Sequence, residues 1–244
     1  MHLQFVGSGD AFGSGGRLNT CFHVAGERAN FLIDCGASSL VGLKSRGIDR
    51  DAIDAILVSH FHGDHFGGIP YFVLDAHFGR RARPLVIAGP PGIEAWYVRA
   101  LEAAFEHFST IKLAFALELV VLPERAATTL GPLRVTPYPV VHGNSGGPFY
   151  AYRIEVEGRI IAYSGDTEWT DTLVEVAHGA DLFVTECYAY DKPIRYHLNL
   201  KSIEDNLARL RAKRLVLTHM SEPMLAQLGK LKHETASDGM VVKL

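Results

Sequence analysis

The sequence predicts an α/β fold whose sheets carry helices on their outer faces. Three observations predict it. Short apolar strands alternate with helical stretches along the chain, and two regions of the chain resemble each other. Of the 244 residues, 48% are hydrophobic and 21% are charged, which is enough apolar material for a core of two or more layers. We therefore expect one domain spanning residues 1–244.

The two similar regions share one order of elements. Each begins with alternating strands turned at a glycine-containing hairpin, continues with a helical stretch, and returns through an apolar strand that ends in Ser/Thr-His. In chain order, hairpin, helix and strand cover residues 21–36, 38–46 and 52–60 in the first region, and residues 151–166, 170–178 and 212–219 in the second. A duplicated half-domain explains this repetition.

Two further helices are predicted from their apolar stripes. Apolar side chains recur at three- and four-residue steps from Pro91 to Phe108, after a proline-glycine start. Ser202 and Asp205 have the spacing of a capping box at the start of another helix, which we expect to end near Lys213. The glycine-rich segment 7–16 has the wrong spacing for a dinucleotide fingerprint and is followed by a strand, so it is interpreted as a turn.

Charge and cysteine content exclude several classes of protein. The net charge is −3 and the basic residues are scattered, so no surface for long nucleic acid is expected. The cysteines are Cys21, Cys35 and Cys187, an odd number without CxxC spacing, which favours reduced thiols over disulfides. No apolar run is long enough for a membrane span, and no leader is visible at the amino terminus. A cytoplasmic protein without a membrane partner is expected.

Four potential metal ligands follow a buried strand within six residues, in the segment LVSHFHGDHFGG (57–68). They are His60, His62, Asp64 and His65. Neutral imidazoles and carboxylates are the ligands that borderline divalent metals prefer. The end of a strand in an α/β fold is also where binding sites form, and Gly63 is expected to let the backbone turn tightly there. The segment therefore predicts a metal site.

Three other strands end in residues of the same chemical type. His142, Asp166 and His219 each follow an apolar strand. One histidine at a strand end is usually a packing residue, but three strands ending in the same manner indicate a shared site. With the histidine turn they supply seven ligands, enough for two metal ions.

In their order and spacing, these seven residues resemble the metallo-β-lactamase superfamily. The resemblance covers nearly the whole chain and implies a four-layer αββα sandwich built from two related halves. It also implies a pair of divalent ions, zinc in the first instance, with manganese, iron or nickel as alternatives. By this resemblance His60, His62 and His142 hold one ion, Asp64, His65 and His219 hold the other, and Asp166 bridges them.

Two more residues resemble the ribonuclease Z and cyclic phosphodiesterase branch of that superfamily. Glu186 lies twenty residues after Asp166, and His197 lies twenty-two residues before His219. The resemblance implies a hydrolase in which Asp64, Glu186 and His197 are catalytic. The chain lacks the long arm by which ribonuclease Z grips transfer RNA, because only residues 143–165 separate His142 from Asp166.

A small phosphodiester is therefore the expected substrate, with a cyclic nucleotide or a cyclic sugar phosphate as examples. Two alternatives remain open on sequence alone. One is a lactone, β-lactam or thioester hydrolase that uses the same metals, and the other is a metal-binding protein without catalysis. Related phosphodiesterases are often dimers, so a homodimer is a further expectation.

Overall fold

Two seven-stranded sheets form the centre of the fold in the computed structural model, which describes all residues, 1–244. The strands are β1 (His2–Gly7), β2 (Cys21–Ala25), β3 (Asn30–Ile33), β4 (Ala55–Leu57), β5 (Leu85–Gly89), β6 (Leu117–Val121), β7 (Thr128–Leu130), β8 (Leu133–Pro139), β9 (Tyr150–Val156), β10 (Arg159–Tyr163), β11 (Leu182–Glu186), β12 (Leu215–Thr218), β13 (Glu234–Thr235) and β14 (Val241–Lys243). The helices are α1 (Ser39–Ser45), α2 (Gly63–Phe66), α3 (Ile69–Phe78), α4 (Ile93–Ala104), α5 (Thr172–Ala177), α6 (Leu200–Leu210) and α7 (Glu222–Leu225).

The two sheets have the same plan. Sheet one has the order β14-β1-β2-β3-β4-β5-β6, and sheet two has the order β7-β8-β9-β10-β11-β12-β13. In each sheet the first three pairings are antiparallel and the last three are parallel. The predicted internal repetition is therefore visible in the topology. The strand that takes the place of β4 in sheet two is β11, however, and not β12, which the sequence pattern matched to it.

Three hydrophobic clusters lie between the four layers of the fold, which are a helix layer, sheet one, sheet two and a second helix layer. One cluster lies between the two sheets and contains residues of both, such as Phe22, Tyr152 and Tyr163. A second packs the outer face of sheet one against its helices, and a third packs the outer face of sheet two against α5, α6 and α7. The αββα sandwich predicted from the resemblance is confirmed.

Alternation along the strands explains how both faces of a sheet are covered. In β3, Phe31 and Ile33 point into the cluster between the sheets, whereas Leu32 points into the cluster under the helices. The same alternation places Ala162 of β10 outward and Tyr163 inward. Because successive side chains of a strand point to opposite faces, an uninterrupted apolar run is needed wherever both faces are buried.

Two helix predictions differ from the structure in their ends. Helix α4 ends at Ala104, because Phe105 adopts an extended backbone, and the last predicted turn is a separate 3₁₀ helix at Phe108–Thr110. Helix α6 begins after Asn199, whose side chain accepts a hydrogen bond from the backbone of Ser202 at 2.8 Å. The capping box is therefore Asn199 with Ser202, and the predicted pair of Ser202 and Asp205 is wrong.

Charged pairs join helix α3 to α1 and to the segment before β4. Asp75 of α3 accepts hydrogen bonds from Lys44 at 2.5 Å and from Arg50 at 2.7 Å. Burial raises the pKa of Asp75, but these two cations oppose it and hold the pKa below its usual value. None of the helices is both long and apolar enough to cross a membrane.

Candidate metal centre

The seven predicted ligands lie together, at one end of the sandwich where strands of both sheets end. They form two adjacent groups whose ligand atoms lie within 4.8 Å of one another. The first group is His60, His62 and His142, and the second is Asp64, His65, Asp166 and His219. The turn after β4 supplies four of these residues, and the ends of β8, β10 and β12 supply the other three.

In the first group, one nitrogen of each of the three imidazoles converges on a common position. The Nδ1 atom of His62 lies 3.0 Å from Nε2 of His60 and 3.1 Å from Nε2 of His142. A tetrahedral ion with nitrogen ligands places neighbouring donor atoms about 3.3 Å apart. The other ring nitrogen of His62 lies 2.9 Å from the carbonyl oxygen of Ser145, to which it donates, so His62 keeps Nδ1 free as a ligand.

The second group centres on a carboxylate oxygen of Asp166. Its Oδ2 atom lies 3.1 Å from Nε2 of His219, 3.3 Å from Nε2 of His65 and 3.7 Å from Nε2 of His142. Oδ2 of Asp64 lies 3.2 Å from Nε2 of His65. Since His142 belongs to the first group, the position of Asp166 between the two groups is the one that a bridging carboxylate needs.

Two buried polar atoms without hydrogen-bond partners indicate whether this site can accommodate cations. Nε2 of His65 and Oδ1 of Asp166 are buried and have no hydrogen-bond partner, although buried polar atoms are nearly always paired. Two carboxylates and several imidazoles aimed at each other without solvent are otherwise costly. The seven residues thus fit a pair of divalent ions in the type of their donor atoms, in the spacing of those atoms and in having buried polar atoms without a partner.

Burial and neighbouring charge shift the pKa values of the candidate histidine ligands in opposite directions. Burial lowers the pKa of His60 well below its usual value, and burial lowers that of His142 to about 4. Burial also lowers the pKa of His219, but the carboxylate of Asp166 more than offsets this and raises it to about 9. His60 and His142 are therefore neutral imidazoles, the form that binds metal, whereas His219 and Asp166 form an ion pair.

Asp34 holds one of these ligands in place, and the sequence analysis missed it. Its carboxylate accepts hydrogen bonds from Nδ1 of His65 at 2.7 Å, from the hydroxyl of Ser59 at 2.8 Å and from the backbone nitrogen of Ser59 at 2.7 Å. A carboxylate that orients a ligating histidine is a common support of metal sites. The signal was present, since Asp34 follows an apolar strand just as Asp166 does.

Backbone strain also marks this end of the sandwich. Asp34 and His219 have φ angles of 59° and 56°, in the left-handed region that residues other than glycine rarely adopt. The backbone nitrogen of His219 donates to the carbonyl oxygen of Ser8 at 3.1 Å, and its Nδ1 lies 3.2 Å from the hydroxyl of Thr20. Strained residues of this kind persist where surrounding contacts fix them.

Close backbone approach explains two glycines near the histidine turn. A Cβ atom on Gly36 would lie 2.2 Å from the carbonyl oxygen of Asp64, and one on Gly68 would lie 2.2 Å from the carbonyl oxygen of Gly36. Gly63, in contrast, has open space around it and no positive φ. The expectation that Gly63 makes the turn possible is wrong, because the tight contact is between the turn and the end of β3.

His197 lies beside the ligands and is paired with Glu186. Its Nδ1 atom is 3.0 Å from Oε2 of Glu186, which is fully buried, and its ring centre is 4.8 Å from that of His142. Burial lowers the pKa of His197, but Glu186 opposes this and the net shift is upward. The other carboxylate oxygen of Glu186 accepts a hydrogen bond from the backbone nitrogen of Thr167 at 2.5 Å.

A cavity of about 220 Å³ opens above these groups. Its floor contains metal-ligand candidates and His197, and its rim contains Phe12, Tyr188, Arg195 and Tyr196. Arg195 is the only lysine or arginine in the lining, and its guanidinium stacks 4.5 Å from the ring centre of Tyr196. The ring of Tyr188 stacks on His197 at 4.5 Å.

A family model described as anti-Pycsar protein Apyc1 matches residues 1–238. The chain belongs to the anti-Pycsar protein Apyc1 family. It is also similar to ribonuclease Z of Agathobacter rectalis, with 29% identity over 81% of this chain and 80% of that protein. Membership of the metallo-β-lactamase superfamily, in its ribonuclease Z-like branch, is therefore confirmed.

Solved structures agree on the fold of this Apyc1 family member. Human tRNase Z, short form, superimposes with a TM-score of 0.80 at 24% identity, over 100% of this chain and 99% of that one. A diphosphatase from the PhnP family superimposes with a TM-score of 0.77 at 22% identity, over 100% of this chain and 97% of that one. The predicted class, a metal-dependent hydrolase, is confirmed, and the roles of the individual site residues stay predictions.

Proposed function

We propose that the protein hydrolyses a small phosphodiester, cyclic or linear, with two divalent ions and His197. The observation that carries the proposal is the pairing of the buried Glu186 with His197, which lines the cavity beside five of the metal-ligand candidates. Phosphodiester hydrolysis develops negative charge on the phosphoryl oxygens as well as on a poor leaving group. A carboxylate-oriented imidazole beside the metals, cationic or proton-donating, is therefore useful to it.

The metal roles follow the two groups described above. His60, His62 and His142 would hold one ion and Asp64, His65 and His219 the other, with Asp166 between them. Zinc suits this nitrogen and oxygen donor set, and manganese, iron and nickel suit it as well. When bound, such a pair of ions supplies an activated water and neutralises charge on the phosphoryl oxygens.

The chain's own residues supply the remaining steps. Glu186 fixes His197 by accepting the hydrogen bond of Nδ1, so Nε2 is the ring nitrogen free to hold a proton for the leaving oxygen. Asp64, predicted as both ligand and catalytic residue, lines the same cavity. Arg195 at the rim offers the guanidinium that a phosphodiester anion can approach.

A small substrate is supported by what surrounds the cavity. Residues 143–165, where ribonuclease Z would carry its arm, form only a loop and the hairpin of β9 and β10. The cavity volume suits a low-mass ligand rather than a folded nucleic acid. A long basic surface, which tRNA binding would need, is not expected at a net charge of −3.

Turnover of bis(p-nitrophenyl) phosphate, a lactone and a cephalosporin by metal-loaded protein tests the proposal. We expect the phosphodiester to be the preferred substrate. His197→Ala should lower turnover of a phosphodiester with an alkoxide leaving group about 10²- to 10⁴-fold, the usual contribution of a general acid, and should lower turnover of bis(p-nitrophenyl) phosphate, whose phenolate leaves without a proton, much less. The metal content measured by elemental analysis should be unchanged.

His233→Ala is the matched control, because His233 also pairs with a glutamate, Glu204, at 3.1 Å but lies away from the cavity. It should retain full activity. Equal turnover of the phosphodiester with an alkoxide leaving group by wild type and His197→Ala would reject the role of His197. Preference for the lactone or the cephalosporin would reject the proposed substrate class.

A further inference from the structure

We infer that Glu168 is a positioning residue that holds His197 and the metal-ligand candidate His142 in one arrangement through the backbone of Tyr196. The inference rests on the proposed function and extends it to a residue outside the cavity. Glu168 is not part of the cavity lining, so it can affect the site only through the groups that it holds.

Tyr196 is hydrogen-bonded on both sides of its backbone. Its nitrogen donates to Oε2 of Glu168 at 3.2 Å, and its carbonyl oxygen accepts a hydrogen bond from Nδ1 of His142 at 3.0 Å. His197 is the next residue in the chain. Because one residue carries both hydrogen bonds, a displacement of Tyr196 would change the surroundings of His142 and the position of His197 together.

The carbonyl oxygen of Tyr196 decides which nitrogen of His142 is available to a metal ion. A carbonyl oxygen can only accept, so Nδ1 of His142 carries the proton and Nε2 keeps its lone pair. Nε2 is the atom that lies 3.1 Å from Nδ1 of His62 in the first group. Tyr196 therefore holds His142 in the tautomer that the first group needs.

The backbone of Tyr196 needs support from its neighbours. Its φ angle is 70°, in the left-handed region that residues other than glycine rarely adopt. Such a conformation persists where surrounding contacts fix it, but the five residues before it, 191–195, are exposed. The hydrogen bonds to Glu168 and His142 join this segment to the strand ends of the sandwich, and the one to Glu168 is strengthened by the charge of the carboxylate.

Thr167, the residue before Glu168, holds the side chain of His197. Its backbone nitrogen donates to one carboxylate oxygen of Glu186 at 2.5 Å, and the other oxygen of Glu186 lies 3.0 Å from Nδ1 of His197. Two consecutive residues thus fix His197, since Thr167 acts on its side chain and Glu168 on its backbone.

Backbone hydrogen bonds fix Glu168 relative to the strand end that carries His142. The backbone nitrogen of Glu168 donates to the carbonyl oxygen of Val141 at 2.9 Å, and the backbone nitrogen of Val141 donates to the hydroxyl of Thr167 at 3.1 Å. Val141 directly precedes His142. The contacts therefore form a closed ring from Glu168 through Tyr196 and His142 back to Glu168.

Amide hydrogen exchange of zinc-loaded protein, measured by NMR at the backbone amide of His197, tests the inference. This amide donates to the carbonyl oxygen of Ile194 at 3.1 Å and is not bonded to Glu168. We expect Glu168→Ala to speed its exchange about tenfold, because loss of the neighbouring hydrogen bond lets the segment open more often. Glu168→Gln keeps an acceptor oxygen and should exchange as wild type does.

Zinc affinity is the second measurement, because the tautomer of His142 depends on Tyr196. In competition with a chromophoric chelator, Glu168→Ala should bind zinc about tenfold more weakly at one site, and Glu168→Gln should bind it as wild type does. Glu102→Ala is the matched control. Glu102 also accepts hydrogen bonds from two backbone nitrogens, those of His107 and Ser109 at 2.9 Å, but lies on α4 away from the cavity. Its replacement should leave exchange at His197 and zinc affinity unchanged.

Turnover at saturating zinc measures the effect on His197 alone. For a cyclic sugar phosphate, whose leaving oxygen is an alkoxide, Glu168→Ala should lower kcat about tenfold and leave KM unchanged, with a smaller effect on bis(p-nitrophenyl) phosphate. Wild-type exchange and zinc affinity in Glu168→Ala, or failure of Glu168→Gln to restore them, would overturn the inference. Absence of wild-type turnover towards every phosphodiester would instead reject the proposed function, and the exchange and zinc measurements would still decide the role of Glu168.

Discussion

Replacing Asp34 by asparagine should weaken metal binding although Asp34 is not itself a ligand. The two carboxylate oxygens of Asp34 face different donors: Oδ1 faces the backbone N–H of Ser59, and Oδ2 faces Nδ1 of His65. An amide has only one acceptor oxygen. In Asp34→Asn the NH₂ group therefore meets a donor in either orientation.

Each orientation has a defined cost. With the NH₂ group towards Ser59, the buried N–H of Ser59 loses its acceptor, which costs about 1–3 kcal/mol of folding free energy. With the NH₂ group towards His65, that imidazole must accept at Nδ1 and carry its proton on Nε2, the atom aimed at Asp64 and Asp166. A protonated Nε2 cannot bind metal. We expect affinity at this site to fall about 10- to 100-fold, or about 1.4–2.8 kcal/mol.

Competition with a chromophoric chelator measures this affinity. Asp10→Asn is the matched control, because Asp10 is an equally buried carboxylate that binds backbone and hydroxyl donors but contacts no metal-ligand candidate. We expect Asp10→Asn to lower the free energy of unfolding and to leave the metal affinity unchanged. If Asp34→Asn binds two ions as tightly as wild type, the assignment of His65 as a ligand held by Asp34 is refuted.

Two further predictions concern other parts of the structure. Gly146→Ala places a Cβ atom 2.4 Å from the ring of His62, so chelator competition should show about tenfold weaker binding at the first metal site, whereas Gly158→Ala, with a similar positive φ but open space, should not. Asp75→Asn should cost about 1 kcal/mol of unfolding free energy at pH 7, measured with urea. Because the pKa of Asp75 is lowered on folding, its contribution is present above about pH 4 and is lost as the pH falls further, so persistence of the full difference in acid would contradict the assignment.

Local patterns in the sequence predicted the site better than they predicted the ends of elements. The seven proposed metal ligands were selected because the histidine turn follows the apolar strand β4 and the other three residues each follow an apolar strand, and strand ends of parallel sheets meet at one edge. Asp34 has the same pattern as Asp166, but the resemblance that assigned Asp166 as a bridging ligand gave Asp34 no role. Its role depends on the distance to His65, thirty-one positions away.

The helix ends were less predictable because tertiary contacts decide them. The apolar stripe of α4 continues past Ala104 since Phe105 and Phe108 pack on the same cluster, although the backbone has already left the helix. The cap of α6 comes from Asn199, which precedes the apolar pattern. The hydrogen bond from the backbone nitrogen of Gly15 to Glu222 was also not visible, because the two residues lie more than two hundred positions apart.

The division of the ligands between the two sheets has a consequence for the order of events during synthesis. The turn after β4 is synthesised long before His219, which lies more than 150 positions further along the chain. A nascent chain therefore presents four of the proposed donors before their partners exist, and the second group cannot be complete until His219 has been synthesised. On the proposed assignment, the second ion is bound after the first group has formed, and chains truncated before β12 should not acquire both cations.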